Sequence, residues 1–426
     1  MDVDLPPSYA LTSSTSAAPL YSERPSTTER VLQTERHPTG LAPAAQGLKH
    51  LYKSDHLEVR LHPPHWGLTL PAYGLGATVD GLITFRKSCS HVTELSVSLQ
   101  GVINTSASQH ATVAVPGVSR NVFLKKKVVL FAAPQGQSAT MKGEFPFALQ
   151  FPHYVDGGCD PLPPSYTVYQ PGITTEIFYT FRVDITRKGL RRHEKLATPI
   201  LYLPKSRPSL PPVEDMPWAR TDSWADARMR TVDVSPTWPT RPGRSDASAQ
   251  QREDIPTITF TMPSTRCFAS GEMIPVSMKI HCPRSPALAK LLSHNAHLSL
   301  VKRQKTWISL GAQISIRESL LSRADLYLAD ESQEGTAYLR LEVQAGEAGR
   351  ECSWRVKDCV AVEHVIRLVI LPPDHLKDFP TFKHEVPVTL TTDQYGSLQN
   401  EMLALGGVPF PALGLNDVHR YLRAQR

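Results

Sequence analysis

No apolar run in this sequence approaches the roughly 18–20 residues that a membrane-spanning helix needs, so no such helix is expected. The opening stretch, Met1 to Pro7, is acidic and lacks the apolar segment of a secretory signal. Cysteine is sparse. Cys89, Cys159, Cys267, Cys282, Cys352 and Cys359 form no C-x-x-C pair, which argues against a disulfide framework and for an intracellular, reducing setting. Excess charge of one sign is also scarce: 46 basic and 40 acidic residues leave +6, and the basic residues are dispersed, so nucleic acid is not an expected partner. The catalytic signatures G-x-S-x-G, Walker A and H-E-x-x-H are missing. Gly74-x-Gly76 lacks the third glycine and the following helix of a dinucleotide loop. His62-Pro63-Pro64-His65 offers two imidazoles with no further ligand, on a stretch that its prolines keep from being helical. No cofactor, no metal and no enzymatic activity are expected.

Proline, by contrast, is plentiful. The 37 prolines are too many for regular elements and must gather in tails, linkers and turns. Residues 1–46 are rich in Ser, Thr and Pro without periodicity and read as a disordered tail. From about residue 47 short β-branched stretches alternate with turn signals. Leu57–Leu61 and Thr78–Phe85 alternate, the latter with Gly81 inside it, which predicts a bulge or a close backbone approach. Leu95, Val97 and Leu99 alternate strictly within His91–Ile103. Val122–Phe131, Phe145–Phe151, Ile177–Thr186 and Thr198–Leu203 continue the series. A second series reads Thr257–Met262, Met273–His281, His297–Val301, Trp307–Ile316, Ala337–Val343, Val362–Leu371 and Val386–Thr391. Val365, Leu368 and Ile370 do not alternate, which predicts a strand covered on both faces. Only Ser285–Ser293 and the end of the chain look helical. The class is all-β: two antiparallel β-sandwiches in tandem, at 47–205 and 256–392, joined by a Pro-rich linker at 206–255 and followed by a C-terminal extension at 393–426. The linker holds Trp218, Trp224 and Trp238, which either cover an exposed sheet edge or dock a partner.

Several motifs recur in order. The first half carries Tyr73-Gly74-Leu75-Gly76-Ala77-Thr78-Val79-Asp80-Gly81, then Leu95-Ser96-Val97-Ser98-Leu99-Gln100-Gly101, Phe145-Pro146-Phe147, Leu162-Pro163-Pro164-Ser165-Tyr166 and Tyr179-Thr180-Phe181-Arg182-Val183. The second carries Gly271-Glu272-Met273-Ile274-Pro275-Val276 and Phe382-Lys383-His384-Glu385-Val386-Pro387-Val388. This arrangement resembles the arrestin superfamily, and most of all the fungal arrestin-like proteins of the α-arrestin branch. The resemblance covers 47–205 and 256–392, but neither the tail nor the linker. It implies two tandem immunoglobulin-like sandwiches. It further implies a cytoplasmic adaptor, recruited to the plasma membrane or endosomes, that links transporters or receptors to a HECT-type ubiquitin ligase for ubiquitination and endocytosis.

Pro6-Pro7-Ser8-Tyr9 fits the Pro-Pro-x-Tyr pattern that WW domains read. Two prolines pre-set a polyproline II segment, and a tyrosine fills a second pocket. Pro163-Pro164-Ser165-Tyr166 fits it too, but coincides with the turn of the resembled fold, so it is a weaker candidate whose Tyr166 can instead pack on the sandwich. Lys125-Lys126-Lys127 reads as a solvated or edge strand whose lysines discourage aggregation, or else as a contact for anionic lipid or acidic cargo or a ubiquitin-acceptor site. Arg187-Lys188-Gly189-Leu190-Arg191-Arg192 reads as a basic loop: either solvated, or a contact for acidic cargo or for lipid headgroups at a membrane surface. Tyr395-Gly396-Ser397-Leu398 fits the common Y-x-x-Φ pattern. The alternative to the ligase adaptor is a ligase-independent signalling or endosomal-sorting scaffold. A β-sandwich DNA-binding regulator ranks third.

Overall fold

The structure, a computed structural model, describes residues 50–62, 66–107, 117–189, 193–213, 228–238, 255–308, 313–372, 379–405 and 409–416. These belong to one compact unit, Leu48–Arg426. The fold is all-β, built of large antiparallel sheets. The first half contains β1 (Leu51–Lys53), β2 (Leu57–Leu61), β3 (Ala72–Tyr73), β4 (Thr78–Phe85), β5 (Cys89–Ala107), β6 (Gly117–Ala132), β7 (Ala139–Met141), β8 (Glu144–Gln150), β9 (Tyr166–Gln170), β10 (Ile173–Arg187) and β11 (Glu194–Tyr202). One sheet runs β1-β2-β4-β8 and the other β3-β11-β10-β5-β6, with β7 on β5 and β9 on β10. Period two explains the layering. Along β10, Ile173, Thr175, Ile177, Tyr179, Phe181, Val183 and Ile185 are all buried while the residues between them face out. Leu95, Val97 and Leu99 of β5 and Val79 and Ile83 of β4 complete the core between the sheets.

The second half contains β12 (Met229–Asp233), β13 (Pro236–Thr237), β14 (Thr257–Pro263), β15 (Cys267–Ala269), β16 (Met273–His281), α1 (Pro286–His294), β17 (Ala296–Ile308), β18 (Gln313–Asp330), β19 (Thr336–Gln344), β20 (Trp354–Val356), β21 (Val360–Ile370) and β22 (Thr381–Thr391). The strands form one path, β12-β14-β16-β19-β18-β17-β21-β22-β13. It turns over on itself through β18, whose Gln313–Arg323 part pairs with β17 and whose Ala324–Asp330 part pairs with β19. Ile274, Val276 and Met278 of β16 thereby share a second core with Leu300 of β17 and with Ile366 and Leu368 of β21. The chain has β-sandwich character in both halves.

Several sequence expectations can be placed at once. Thr78–Phe85 and Met273–His281 are strands with those bounds. Gly81 marks a close approach: a Cβ there would stand 2.2 Å from the Arg60 carbonyl oxygen and 2.8 Å from the Phe147 ring. Ala361 and Val365 on one face of β21 are buried, as are Val362, Ile366 and Leu368 on the other, so the strand is covered on both sides. α1 starts with proline at its N-terminus, where the missing N–H costs nothing. One reading is corrected. Trp307–Ile316 is not a single strand: β17 ends at Ile308, and β18 returns antiparallel from Gln313. Within the Pro-rich stretch 206–255, β12 pairs with β14 and β13 with β22. Trp238 is half-exposed; Trp218 and Trp224 lie outside the described residues. After β22, α2 (Ser397–Leu405) follows, and Glu401 pairs with Lys205 at 3.1 Å and with Arg207. No described helix is long and apolar enough to cross a membrane.

Candidate functional site

The two halves meet at β9. Its sequence, Tyr166-Thr167-Val168-Tyr169-Gln170, is aromatic and β-branched, suited to a half-covered strand. Its one described partner is β10. The Tyr166 ring meets Trp354 of β20 edge-on, centroids 5.0 Å apart, and its hydroxyl accepts a hydrogen bond from Gln304 Nε2 of β17. Arg317 of β18 donates to the Tyr169 carbonyl at 3.0 Å. Between these contacts lies an open cleft of about 560 Å³, with β9 on one side and β17, β18 and residues 344–351 on the other. Its volume falls among those of ligand pockets, roughly 300–1,000 Å³. Three cations and two carboxylates line it. Lys302 pairs with Glu351 at 2.8 Å and Arg350 pairs with Glu347, whereas Arg317 meets a neutral carbonyl.

The loop between β20 and β21 fastens the same seam further along. The Lys357 backbone N–H donates to the Asp160 carboxylate at 2.8 Å, and its Nζ to the Asp156 carbonyl at 3.2 Å. Asn121 Nδ2 donates to Cys359 Sγ at 3.1 Å, and Val356 and Val360 bury themselves in the core of the first half.

Behind the cleft floor sits a chain of polar groups. Leu390 N–H donates to Ser353 Oγ at 2.9 Å, and Ser353 Oγ lies 2.8 Å from His364 Nδ1. His364 Nε2 lies 3.4 Å from Glu351 Oε2. The ionised Glu351 can only accept, which assigns the neutral imidazole's proton to Nε2, and the Ser353 hydroxyl then donates to Nδ1. His364 is fully buried, and burial pushes its pKa down; the hydrogen bond to Glu351 restores only part of that. Burial alone would raise the Glu351 carboxyl, but hydrogen bonds from His364 and Lys302 outweigh it and hold the group below its ordinary range. The residue types are those of a nucleophile, a base and an acid. Their arrangement suits a clasp instead, because Ser353 Oγ is committed to a backbone N–H and the imidazole has no access to solvent.

The residues singled out from sequence fall in different places. Pro6, Pro7 and Tyr9 lie outside the described residues. Pro163 and Pro164 are buried: the Tyr179 hydroxyl donates to the Pro163 carbonyl at 2.6 Å, and the Ser165 hydroxyl accepts the Tyr202 backbone N–H at 2.9 Å. For a WW groove to take these rings, the turn would have to leave the aromatic core formed by Phe151, Tyr179 and Tyr202. Arg187 turns inward, with its side chain 16% exposed and 3.6 Å from Glu194, while Lys188 donates to the Gly136 carbonyl. Arg191 and Arg192 lie outside the described residues. β6, which holds Lys125–Lys127, ends its sheet, and Lys127 pairs with Glu94. Tyr395 and Leu398 are exposed, but Leu398 lies in the first turn of α2. No group of three or more metal-ligating side chains occurs among the described residues. Sequence reasoning missed Arg317, Trp354 and the Glu351–His364 pair, which stand in no motif and are brought together only by strand pairing. No family model and no curated protein matches this chain.

Proposed function

We propose that this protein is an arrestin-like adaptor. In this reading two tandem immunoglobulin-like sandwiches hold cargo such as the cytosolic tail of a transporter or receptor. A Pro-Pro-x-Tyr segment then recruits the WW domains of a HECT-type ubiquitin ligase at the plasma membrane or endosomes. The observation that carries the reading is the pair of cores, one centred in each half, with the halves joined along a seam that leaves a polar cleft open. The ordered motifs of the two halves support it. Such a body offers a large fixed surface, which suits binding. The held state of Pro163 and Pro164 supports assigning the ligase contact, in this reading, to Pro6, Pro7 and Tyr9 instead.

The test is binding of purified WW domains from a HECT-type ligase to the full chain, beside Tyr9→Ala and Tyr166→Ala. Binding abolished by Tyr9→Ala and kept by Tyr166→Ala is the expected result. If the unaltered protein does not bind, the ligase part of the proposal is wrong, and a ligase-independent scaffold takes its place.

A further inference from the structure

We infer that the cleft beside β9 takes an extended, acidic peptide segment of a partner protein as an added strand on the β9 edge. The backbone register carries the inference. β9 and β10 form a hairpin closed by Pro171-Gly172, with Gln170 opposite Ile173, Val168 opposite Thr175 and Tyr166 opposite Ile177. In a two-residue hairpin the residues flanking the turn exchange hydrogen bonds, and the pattern then alternates. Gln170, Val168 and Tyr166 therefore spend their backbone groups on β10, while those of Thr167 and Tyr169 point away from it. The Arg317 guanidinium on the Tyr169 carbonyl shows this direction directly. No described strand pairs with that side of β9, and no described group meets the Thr167 N–H. Among the described residues β9 is thus a sheet edge that looks into a cleft, the setting in which an extended peptide gains main-chain hydrogen bonds.

Charge selects the occupant. Among the described lining residues, Glu347 and Glu351 are matched by Arg350 and Lys302, and Arg317 meets no carboxylate. A peptide N–H that takes over the Tyr169 carbonyl releases Arg317 to meet an acidic side chain of the same peptide, so strand addition and charge recognition happen together. Val168 and Leu320 supply apolar lining beside them. The proposal does not depend on the ligase part of the function given above.

The experiment is fluorescence anisotropy with the full chain and a labelled hexapeptide of alternating valine and glutamate, beside its valine–lysine counterpart. The acidic peptide is expected to bind, more weakly as salt rises, and the basic one not to bind. Thr167→Pro removes the outward N–H and leaves the β10 ladder its own bonds, since edge strands accept proline. Arg317→Glu, a surface change, reverses the charge, frees the Tyr169 carbonyl and leaves the Thr167 N–H in place. Each is expected to weaken the acidic peptide at least about tenfold. The Thr167 amide should gain protection from hydrogen exchange when the peptide is bound. No binding of the acidic peptide to the unaltered protein at about 1 mM, or binding by either variant as tight as that of the unaltered protein, overturns the inference. So does a dimer of the free protein that Thr167→Pro disperses, which would give the edge to a second copy. WW-domain binding measured on the same variants is expected to be unchanged, which separates failure here from failure of the ligase reading.

Discussion

The ring of Tyr166 stands edge-on to that of Trp354 at 5.0 Å, so a strand of the first half is fastened to a strand of the second through one aromatic pair. Such pairs contribute about 0.5–1.5 kcal/mol beyond the area they bury. A double-mutant cycle of Tyr166→Ala and Trp354→Ala, followed by urea unfolding, is expected to show a coupling in that range. Trp354→Ala alone should cost less than the roughly 3–5 kcal/mol of a fully buried aromatic, since the ring is only half-buried. Additive single effects would mean that the rings touch without holding the halves together.

That seam shows what the sequence could and could not disclose. Thr78–Phe85 and Met273–His281 are legible because one face of each lies against a core, and burial imposes a period of two on the apolar residues. β18 is not legible: Ile314, Ile316, Leu320, Leu326, Tyr327 and Leu328 are all exposed, so no face is selected for apolarity and the alternation fails. Tyr166 drew notice for a local pattern, but its partner lies 188 positions further on, at Trp354, and strand pairing alone brings them together. The same holds for Lys302, Glu351 and His364, which come from β17, a loop and β21.

Two carboxylates that both hold cations should behave differently when removed. Glu351 is 13% exposed and holds Lys302 and His364; Glu385 is 39% exposed and holds Arg303 and Arg367 on the outer face. Glu351→Gln leaves Lys302 poorly solvated, and a loss approaching the roughly 3–5 kcal/mol of a broken buried pair is expected. Glu385→Gln should cost no more than about 1 kcal/mol, since exposed pairs are weak. Urea unfolding of both variants checks the order, and 1 M salt should erase the smaller effect first.

Stability should fall on acidification from a pH near that of an ordinary histidine. Burial lowers the His364 pKa, so the unfolded chain takes up that proton before the folded one does. The contribution is complete above about pH 6.5 and is lost as pH falls from there toward the lower folded value. His384, also lowered by burial and by Arg266 and Arg230, adds a term of the same sign. The urea midpoint is therefore expected to drop as pH falls below about 6.5, with a shallower slope in His364→Gln. An unchanged slope in that variant would place the proton uptake elsewhere.

Gly74 gives a way to test whether the segment after α2 belongs to the folded body. The glycine is buried, and its φ is not positive, so alanine meets no backbone strain there. Its Cβ would stand 2.7 Å from the Phe410 carbonyl oxygen and 3.1 Å from that of Pro409, both backbone atoms that cannot rotate away. The segment is otherwise held by the Trp66 ring edge-on to Phe410 at 4.5 Å, by Lys205 Nζ 4.7 Å above the same ring, and by Ala412 N–H donating to the Leu203 carbonyl at 2.8 Å. Gly74→Ala is expected to push Pro409–Ala412 outward at a cost of about 1–3 kcal/mol, the usual range for overpacking. The core around Tyr179 and Phe181 should stay intact. Hydrogen exchange decides it: the Ala412 amide should lose protection while amides of β10 keep theirs. If Ala412 stays protected, the two backbones have moved apart without releasing the segment, and the close approach at Gly74 is not what holds it.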